Sequence, residues 1–263
     1  MSFRLIDSGA CGAAFNMALD EALALSINQH LAPPAIRFYG WDRPSLSLGR
    51  FQKKNILEKK DGGLGLDFIK ESGLPVVVRP TGGRAVLHGN ELTYSVSSRY
   101  EGVFRGKDLF GCYAVISSAI ERALRRFGVP VQVKNGRGAI GRQAGRTALC
   151  FGSVSYAEIT SGGKKIVGSA QRRWPEGFLQ QGSIPFEIDE FLGRKVFRGS
   201  FDPGAMAGLK SLAPDASPGV LKQFLKEEFE GVLGAPLVPA EPAPEELARA
   251  RQLLPRYFSS SSF

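Results

Sequence analysis

The sequence predicts the α+β fold class, with a mixed, mostly antiparallel sheet flanked by helices. Apolar residues at helical spacing over residues 12–30 and 108–127 indicate two amphipathic helices. Short alternating or β-branched runs follow one another without regular strand–helix–strand alternation, which favours antiparallel pairing. The composition, 43% hydrophobic and 22% charged, is that of a globular protein able to bury a substantial core.

Turn residues divide the rest of the chain into short segments. Strands are predicted at 36–39, 46–48, 74–80, 91–98, 151–159, 164–170 and 178–188. The segment TSGGKK (160–165) predicts a hairpin turn, and a helix is predicted near 217–232. We therefore expect a main domain over residues 1–232. Residues 233–263 are predicted to form a Pro/Ala linker, a short helix at 245–254 and a disordered tail.

The net charge and the cysteine content limit the binding partners, the cellular location and the kinds of site that the sequence predicts. The net charge of +9 indicates either a solvated basic surface or an acidic partner, and nucleic-acid-binding motifs are absent from the sequence. No apolar run reaches 18 residues and the N-terminus lacks a signal-peptide pattern, so we expect a cytoplasmic protein with no membrane contact. Three widely spaced cysteines and two histidines argue against a disulfide framework or a metal site.

The segment RPTGGRAVLHGNELTYSV (79–96) holds the first candidate site. The paired glycines of Thr81-Gly82-Gly83-Arg84 let a backbone turn tightly and approach a ligand closely. Neither the P-loop nor the dinucleotide-binding spacing is present, so a plain turn is favoured on local grounds. His88 is either a structural histidine or one that orients a substrate.

Two further segments contain possible catalytic groups. Residues 132–149 alternate glycines with cations and predict a mobile basic loop. Cys150 ends this loop, where positive potential favours a reactive thiolate, although a buried strand cysteine fits the local sequence as well. In a strand, Lys164 and Lys165 would point to opposite faces. The inward one could then bind a carbonyl oxygen or lower the pKa of a nearby thiol; otherwise both are surface lysines.

Four segments in this order and spacing resemble the lipoate–protein ligase A family, which shares its fold with biotin protein ligases. They are NMALDEAL, RFYGWDRPSLSLGRFQ, RPTGGRAVLHGNELTYSV and GKKIVGSAQRR. The resemblance covers about residues 1–215 and is closest to the cysteine-dependent octanoyltransferases that start protein lipoylation. It implies a biotin/lipoate protein ligase-type catalytic domain, with Cys150 as nucleophile and Lys165 as the active-site lysine. The residues that it implies for substrate binding are Arg79, Thr81, Gly82, Gly83, Arg84 and His88.

The reaction implied by this resemblance is acyl transfer through a thioester on Cys150. Octanoyl would pass from octanoyl-acyl carrier protein to a lysine of a lipoyl domain or of glycine-cleavage H protein, without metal, ATP or another cofactor. The ATP-using ligases carry a third glycine where this chain has Arg84, which argues against adenylate chemistry. The alternatives are an amidotransferase that takes octanoyl from H protein, an ATP-dependent lipoate ligase, and a binding protein of this fold without turnover.

Overall fold

The computed structural model describes residues 2–52, 63–134 and 158–257. The strands within these ranges are β1 (Phe3–Cys11), β2 (Ala35–Trp41), β3 (Ser45–Leu48), β4 (Val76–Val78), β5 (Val86–His88), β6 (Glu91–Arg99), β7 (Gln132–Lys134), β8 (Glu158–Ser161), β9 (Lys164–Arg173), β10 (Gly177–Pro185) and β11 (Leu237–Pro239). The helices are α1 (Ala13–Asn28), α2 (Leu66–Glu71), α3 (Leu109–Arg126), α4 (Glu190–Phe197), α5 (Pro218–Leu233) and α6 (Pro244–Leu253). None of these helices is both long enough and apolar enough to cross a membrane.

The strands form two sheets. The larger has the order β11-β1-β2-β6-β10-β9-β8-β7 and the smaller has the order β4-β3-β5. In the larger sheet β1 pairs in parallel with β2 and β11, whereas neighbours from β2 to β7 are antiparallel. The predicted α+β class with a mostly antiparallel sheet is therefore confirmed.

Helices cover both faces of the larger sheet, and the side chains of β2 alternate between the two faces. Ile36 and Phe38 belong to the apolar core beneath α3 and α5, while Tyr39 packs in the core beneath α1 and α6. Arg37 lies on the same face as Tyr39, where its guanidinium meets polar groups of α1. Because neighbouring strand residues point to opposite faces, one strand supplies both layers of the core.

Local sequence signals set several element boundaries. Helix α3 begins where the Asp108 carboxylate accepts the N–H of Gly111 at 2.8 Å, which is an N-cap. Strands β8 and β9 are joined by Gly162-Gly163, whose φ angles of +55° and +78° suit a tight two-residue hairpin. The predicted hairpin turn and the first two predicted helices are confirmed.

Two segments differ from their predicted structure. The segment predicted as a linker contains β11, which pairs in parallel with β1, and α6 beyond it packs Ala250 and Leu253 against α1. A three-residue strand ending in proline is too short to show an alternating pattern, so composition suggested a linker instead. The predicted basic loop begins with β7 rather than with irregular structure. Its remainder, residues 135–149, and the predicted disordered tail, residues 259–263, lie outside the described residues.

Candidate active site

The Arg79 side chain holds the loop that follows β4. We call residues 81–84 the TGGR loop. The guanidinium of Arg79, buried at 6% exposure, donates to the carbonyl oxygens of Gly82 at 2.7 and 3.0 Å and of Arg84 at 2.6 Å. It also donates to the carbonyl and hydroxyl oxygens of Ser47 on β3, both at 3.1 Å. One cation thus satisfies several buried carbonyls and fixes the TGGR loop against β3.

Two glycines permit this close approach. Gly83 has a φ of +83°, and a Cβ added there would lie 2.8 Å from Nη2 of Arg79. Gly49 follows β3, and a Cβ added there would lie 1.9 Å from the carbonyl oxygen of Gly83. At Gly82 the nearest atom to an added Cβ is 4.0 Å away, on the ring of Phe51. Gly49 and Gly83 therefore serve the packing of the loop, whereas Gly82 has open space beside it.

A buried polar network ties the TGGR loop to α1. The Thr81 hydroxyl donates to Oε1 of Gln181 at 2.8 Å, and Nε2 of Gln181 donates to Asp20 at 2.7 Å. Asp20 forms an ion pair with Arg37 at 2.9 Å, and both side chains are fully buried. A buried ion pair is tolerable only when further hydrogen bonds surround it, so this network constrains its neighbours tightly.

This network was not predicted from the sequence, although the motif NMALDEAL supplies part of it. Asp20 also accepts hydrogen bonds from the hydroxyls of Tyr39 and Ser95, both at 2.8 Å. The Asn16 side chain accepts from Arg37 at 2.7 Å. Polar residues at positions 16 and 20 of an otherwise apolar helix face were the available signal, since residues four apart share a face.

His88 is oriented from three sides. Its ring stacks on Trp41 with centroids 3.8 Å apart. Nε2 lies 2.7 Å from the hydroxyl of Ser47 and Nδ1 lies 2.9 Å from Glu91. Burial opposes ionisation of Glu91, but the charge of His88 and hydrogen bonds from His88, Thr93 and Ser183 outweigh it and lower the pKa of this carboxyl. His88 is therefore a fixed wall of the site.

The lowered pKa of Glu91 predicts a pH-dependent contribution to stability. A carboxyl whose pKa is lower in the folded state stabilises the protein above its unfolded pKa, about 4.5, and loses this contribution as the pH falls through the folded value. We expect Glu91→Gln to lower Tm at pH 7, with the deficit shrinking below about pH 4.5. Thermal unfolding of both proteins from pH 7 to pH 3 tests this, and a deficit that is constant across this range would contradict it.

The two lysines after the hairpin turn occupy different environments. Lys164 is exposed, whereas Lys165 is buried at 5% exposure and forms an ion pair with Glu158 of β8, which is equally buried. The backbone carbonyl of Lys165 accepts the N–H of Ala207 at 3.0 Å. The predicted split between an inward and an outward lysine is confirmed, and the Glu158 partner was not predicted.

Two cavities are lined by residues near the TGGR loop, such as Val86 and Leu87, but not by residues 81–84 themselves. The inner slot, about 30 Å³, is lined by apolar atoms of Met17, Tyr39, Trp41, Val86 and Ala170, with Arg79, His88 and Gln181 among its polar walls. Gly168 and Ser169 of β9 and Gly182 of β10 also line it. It has room for only about one or two water molecules as it stands. Gly168 and Ser169 lie three and four residues after Lys165. The strand that carries this lysine thus forms a wall of the slot.

The outer cavity is larger, about 310 Å³, and lies between the start of β6, the end of β10 and α4. His88 and Ser183 line both cavities. Met206, another lining residue, pairs with Lys165 through an isolated backbone bridge. The two cavities therefore share walls at His88 and Ser183, and the outer one also reaches the backbone neighbour of Lys165.

One of the two cysteines that the structure describes is a poor nucleophile. Cys112 is fully buried on the inner face of α3, and burial raises the pKa of its thiol to about 11. Cys11 is half-buried and donates to the carbonyl oxygen of Ser8 at 3.4 Å. The predicted nucleophile Cys150 lies outside the described residues, so its approach to Lys165 stays a prediction.

Solved structures share this fold. A crystal structure of lipoate–protein ligase A bound with ATP superposes with a TM-score of 0.80 at 22% identity, covering 99% of this chain and 97% of that one. The lipoate protein ligase Ta0514 of Thermoplasma acidophilum with bound lipoic acid gives 0.78 at 22% identity, covering 99% and 98%. The likeness at this identity concerns the fold, and it agrees with the predicted ligase-like architecture.

Sequence relatives are closer. An octanoyltransferase LipM of Moorella thermoacetica is 36% identical over 97% of this chain and 95% of the relative, and that of Bacillus subtilis is 35% identical over 100% and 97%. The LipM of Kyrpidia tusciae is 37% identical over 98% and 97%. The family model for the lipoyl protein ligase A/B catalytic domain matches residues 12–230. The resemblance read from the four segments is therefore confirmed: the chain belongs to the lipoyl protein ligase A/B catalytic domain family.

Proposed function

We propose that this protein is an octanoyltransferase of protein lipoylation that works through a thioester on Cys150. The observation that carries this proposal is Lys165, a buried cation on the strand that also lines the inner slot. A fixed positive charge beside an apolar slot suits a substrate that is an acyl chain ending in a carbonyl. The names of the LipM relatives point to the same reaction class.

The reaction consists of two balanced transfers. The Cys150 thiolate attacks the carbonyl carbon of octanoyl-acyl carrier protein, a new C–S bond forms, and the carrier leaves as a thiolate that takes up a proton. The ε-amine of an acceptor lysine then attacks this acyl-enzyme. The amide C–N bond forms, the enzyme C–S bond breaks, and a proton passes from the amine to the Cys150 sulfur.

Lys165 acts on the charge that develops in both transfers. Its ammonium group favours the thiolate form of a nearby thiol and stabilises negative charge on the carbonyl oxygen. Glu158 pairs with Lys165 in this buried setting, so the positive charge of the lysine has an opposite charge in contact. The ion pair thus makes a charged lysine tolerable at 5% exposure.

The inner slot is the proposed site of the acyl chain. Arg79, which holds the TGGR loop, lines the slot, and so does the predicted binding residue His88, whereas residues 81–84 are not among its lining residues. Arg84 contributes its carbonyl oxygen to the Arg79 brace. The slot is smaller than an eight-carbon chain as it stands, so binding requires its side chains to move apart.

The partners proposed are octanoyl-acyl carrier protein as donor and lipoyl domains or glycine-cleavage H protein as acceptors. Carrier proteins and lipoyl domains are typically acidic, so the net charge of +9 would speed their association. ATP is not required, in keeping with Arg84 at the position where the ATP-using ligases carry a third glycine.

Intact-mass analysis of the protein mixed with octanoyl-acyl carrier protein, without ATP, tests this proposal. We expect one octanoyl adduct on the wild type that hydroxylamine removes, because hydroxylamine cleaves thioesters. Cys150→Ser should show either no adduct or a hydroxylamine-resistant ester, and Cys112→Ser serves as the matched control with a normal adduct. A parallel reaction with octanoyl-H protein as donor distinguishes the proposed enzyme from an amidotransferase, which would take its octanoyl group from H protein. An unmodified wild-type protein with the carrier donor would contradict the proposal.

A further inference from the structure

The outer cavity is lined by more acidic than basic side chains, although the chain as a whole is basic. Among the residues that line it are three carboxylates, Glu91, Glu187 and Asp189, and no lysine or arginine stands among those lining residues of the described part of the chain. The whole chain carries a net charge of +9. An acidic recess in a basic protein selects a cation, because carboxylates close to one another raise the local concentration of positive charge.

Each of the three carboxylates has a hydrogen-bond or ion-pair partner. Glu91 has a lowered pKa at the inner end beside His88, and Asp189 accepts the N–H of Leu192 at 2.8 Å. Glu187 lies at the exposed rim, where Lys210 pairs with it at 2.6 Å. The acidic groups thus run from the solvent-exposed rim of the cavity to its buried end.

The remaining walls are apolar. Leu87, Ile188, Leu192, Phe201 and Met206 contribute side chains to a cavity of about 310 Å³. Such walls suit a short unbranched methylene chain, and the carboxylates suit a positive charge at its end. A lysine side chain combines these two properties.

The position of the cavity fits the second transfer. It shares His88 and Ser183 with the inner slot proposed for the acyl chain. Its wall residue Met206 forms a backbone bridge with Lys165, and the next residue, Ala207, donates to the carbonyl oxygen of Lys165. A side chain that enters through the outer cavity would therefore reach the walls that this cavity shares with the inner slot.

We propose that the outer cavity admits the acceptor lysine, with Glu187 and Asp189 attracting its ammonium group at the rim and the apolar walls holding its methylene stem. This inference rests on the proposed function and assigns the acceptor subsite within it. The pantetheine arm of the carrier, which bears a phosphate at the end remote from the thioester, fits the cavity poorly because the rim carboxylates Glu187 and Asp189 would repel this phosphate.

The double variant Glu187→Gln/Asp189→Asn tests the acceptor subsite. Both changes remove charge and keep shape, and asparagine still serves as an N-cap at the start of α4. We expect KM for a lipoyl-domain acceptor to rise about five- to ten-fold at low salt, since exposed charges contribute modestly, and the rise to shrink at 1 M salt. Formation of the octanoyl-enzyme from octanoyl-acyl carrier protein should keep its wild-type rate. Glu241→Gln, an exposed carboxylate remote in sequence from the cavity, is the control for a general loss of negative charge.

A steric variant gives an independent test. Ile188→Trp, at a half-buried wall position, should slow transfer to the acceptor while leaving octanoyl-enzyme formation and its cleavage by hydroxylamine unchanged. Slower octanoyl-enzyme formation with normal acceptor kinetics would instead assign the cavity to the pantetheine arm and overturn the proposal. Wild-type kinetics in both half-reactions for both variants would also overturn it. A wild-type protein that forms no octanoyl-enzyme would contradict the proposed function itself, which is a separate outcome.

Discussion

Octanoyl-enzyme formation by Lys165→Met should fall about 100- to 1,000-fold, the loss observed when one donor to a developing oxyanion is removed. Methionine retains the length and apolar stem of lysine but carries no charge. Lys164→Met provides a matched control, because this neighbour has the same chemistry and is exposed. We expect the control to keep its rate within about two-fold, as surface substitutions usually have small effects. The rate of octanoyl-enzyme formation, measured by mass spectrometry in a single turnover of each variant, tests this prediction.

A fall in rate could also reflect lost stability, and the structure offers a way to separate the two. Removing Lys165 takes the cation away from Glu158, and breaking a buried pair on one side costs about 3–5 kcal/mol. The double variant Lys165→Met/Glu158→Gln removes both charges and should recover much of the lost Tm. Its rate should remain as low as that of Lys165→Met. Recovery of rate along with stability would show that Lys165 has only a structural role.

Much of the fold could be predicted because helical spacing, strand alternation and turn residues are local patterns in the sequence. The stripes of α1 and α3 follow from helical spacing, and the hairpin between β8 and β9 follows from two adjacent glycines. The burial of Lys165 and the exposure of Lys164 follow from the two-residue period of a strand. Local periodicity alone left open which lysine points inward, and the family resemblance supplied the choice.

Contacts between distant segments could not be predicted in this way. Asp20 meets Arg37 and Gln181 across three different elements, and β11 pairs with the first strand of the chain. Neither contact leaves a periodic or turn-like trace in the sequence. The carboxylate of Glu158 is a similar case, because its pairing with Lys165 depends on the register between β8 and β9.

The dependence on distant contacts also explains why the local sequence of the paired glycines favours a plain turn. Their function becomes clear only with Arg79 and β3 in place, since the loop is packed against a strand more than 30 residues earlier. Gly49 was not among the predicted site residues, yet a Cβ added at Gly49 would lie only 1.9 Å from the carbonyl oxygen of Gly83 in this loop. A glycine that is required for the approach of another segment has no distinctive local sequence pattern.

Gly49→Ala is therefore the second substitution with a large expected effect. The added Cβ would lie 1.9 Å from the carbonyl oxygen of Gly83 and 2.8 Å from its carbonyl carbon, and backbone atoms cannot rotate away as a flexible side chain can. The TGGR loop must shift, which disturbs its hydrogen bonds with Arg79. We expect a loss of about 1–3 kcal/mol in the free energy of unfolding. This corresponds to a Tm lower by about 3–10 °C.

The matched control for this substitution is Gly82→Ala, which adds the same methyl group to the loop itself. Its Cβ would meet nothing closer than 4.0 Å, so we expect Tm to change by less than about 2 °C. Octanoyl-enzyme formation should also fall in Gly49→Ala, because Arg79 both holds the loop and lines the inner slot, and it should do so even at temperatures where the variant is fully folded. If Gly49→Ala and Gly82→Ala had the same Tm and the same rate, the loop would not be held against β3 in solution. Because Gly49 lies outside the loop and lines neither cavity described above, a selective loss of acylation at Gly49→Ala would show that the position of the loop, and not only its sequence, determines acyl transfer.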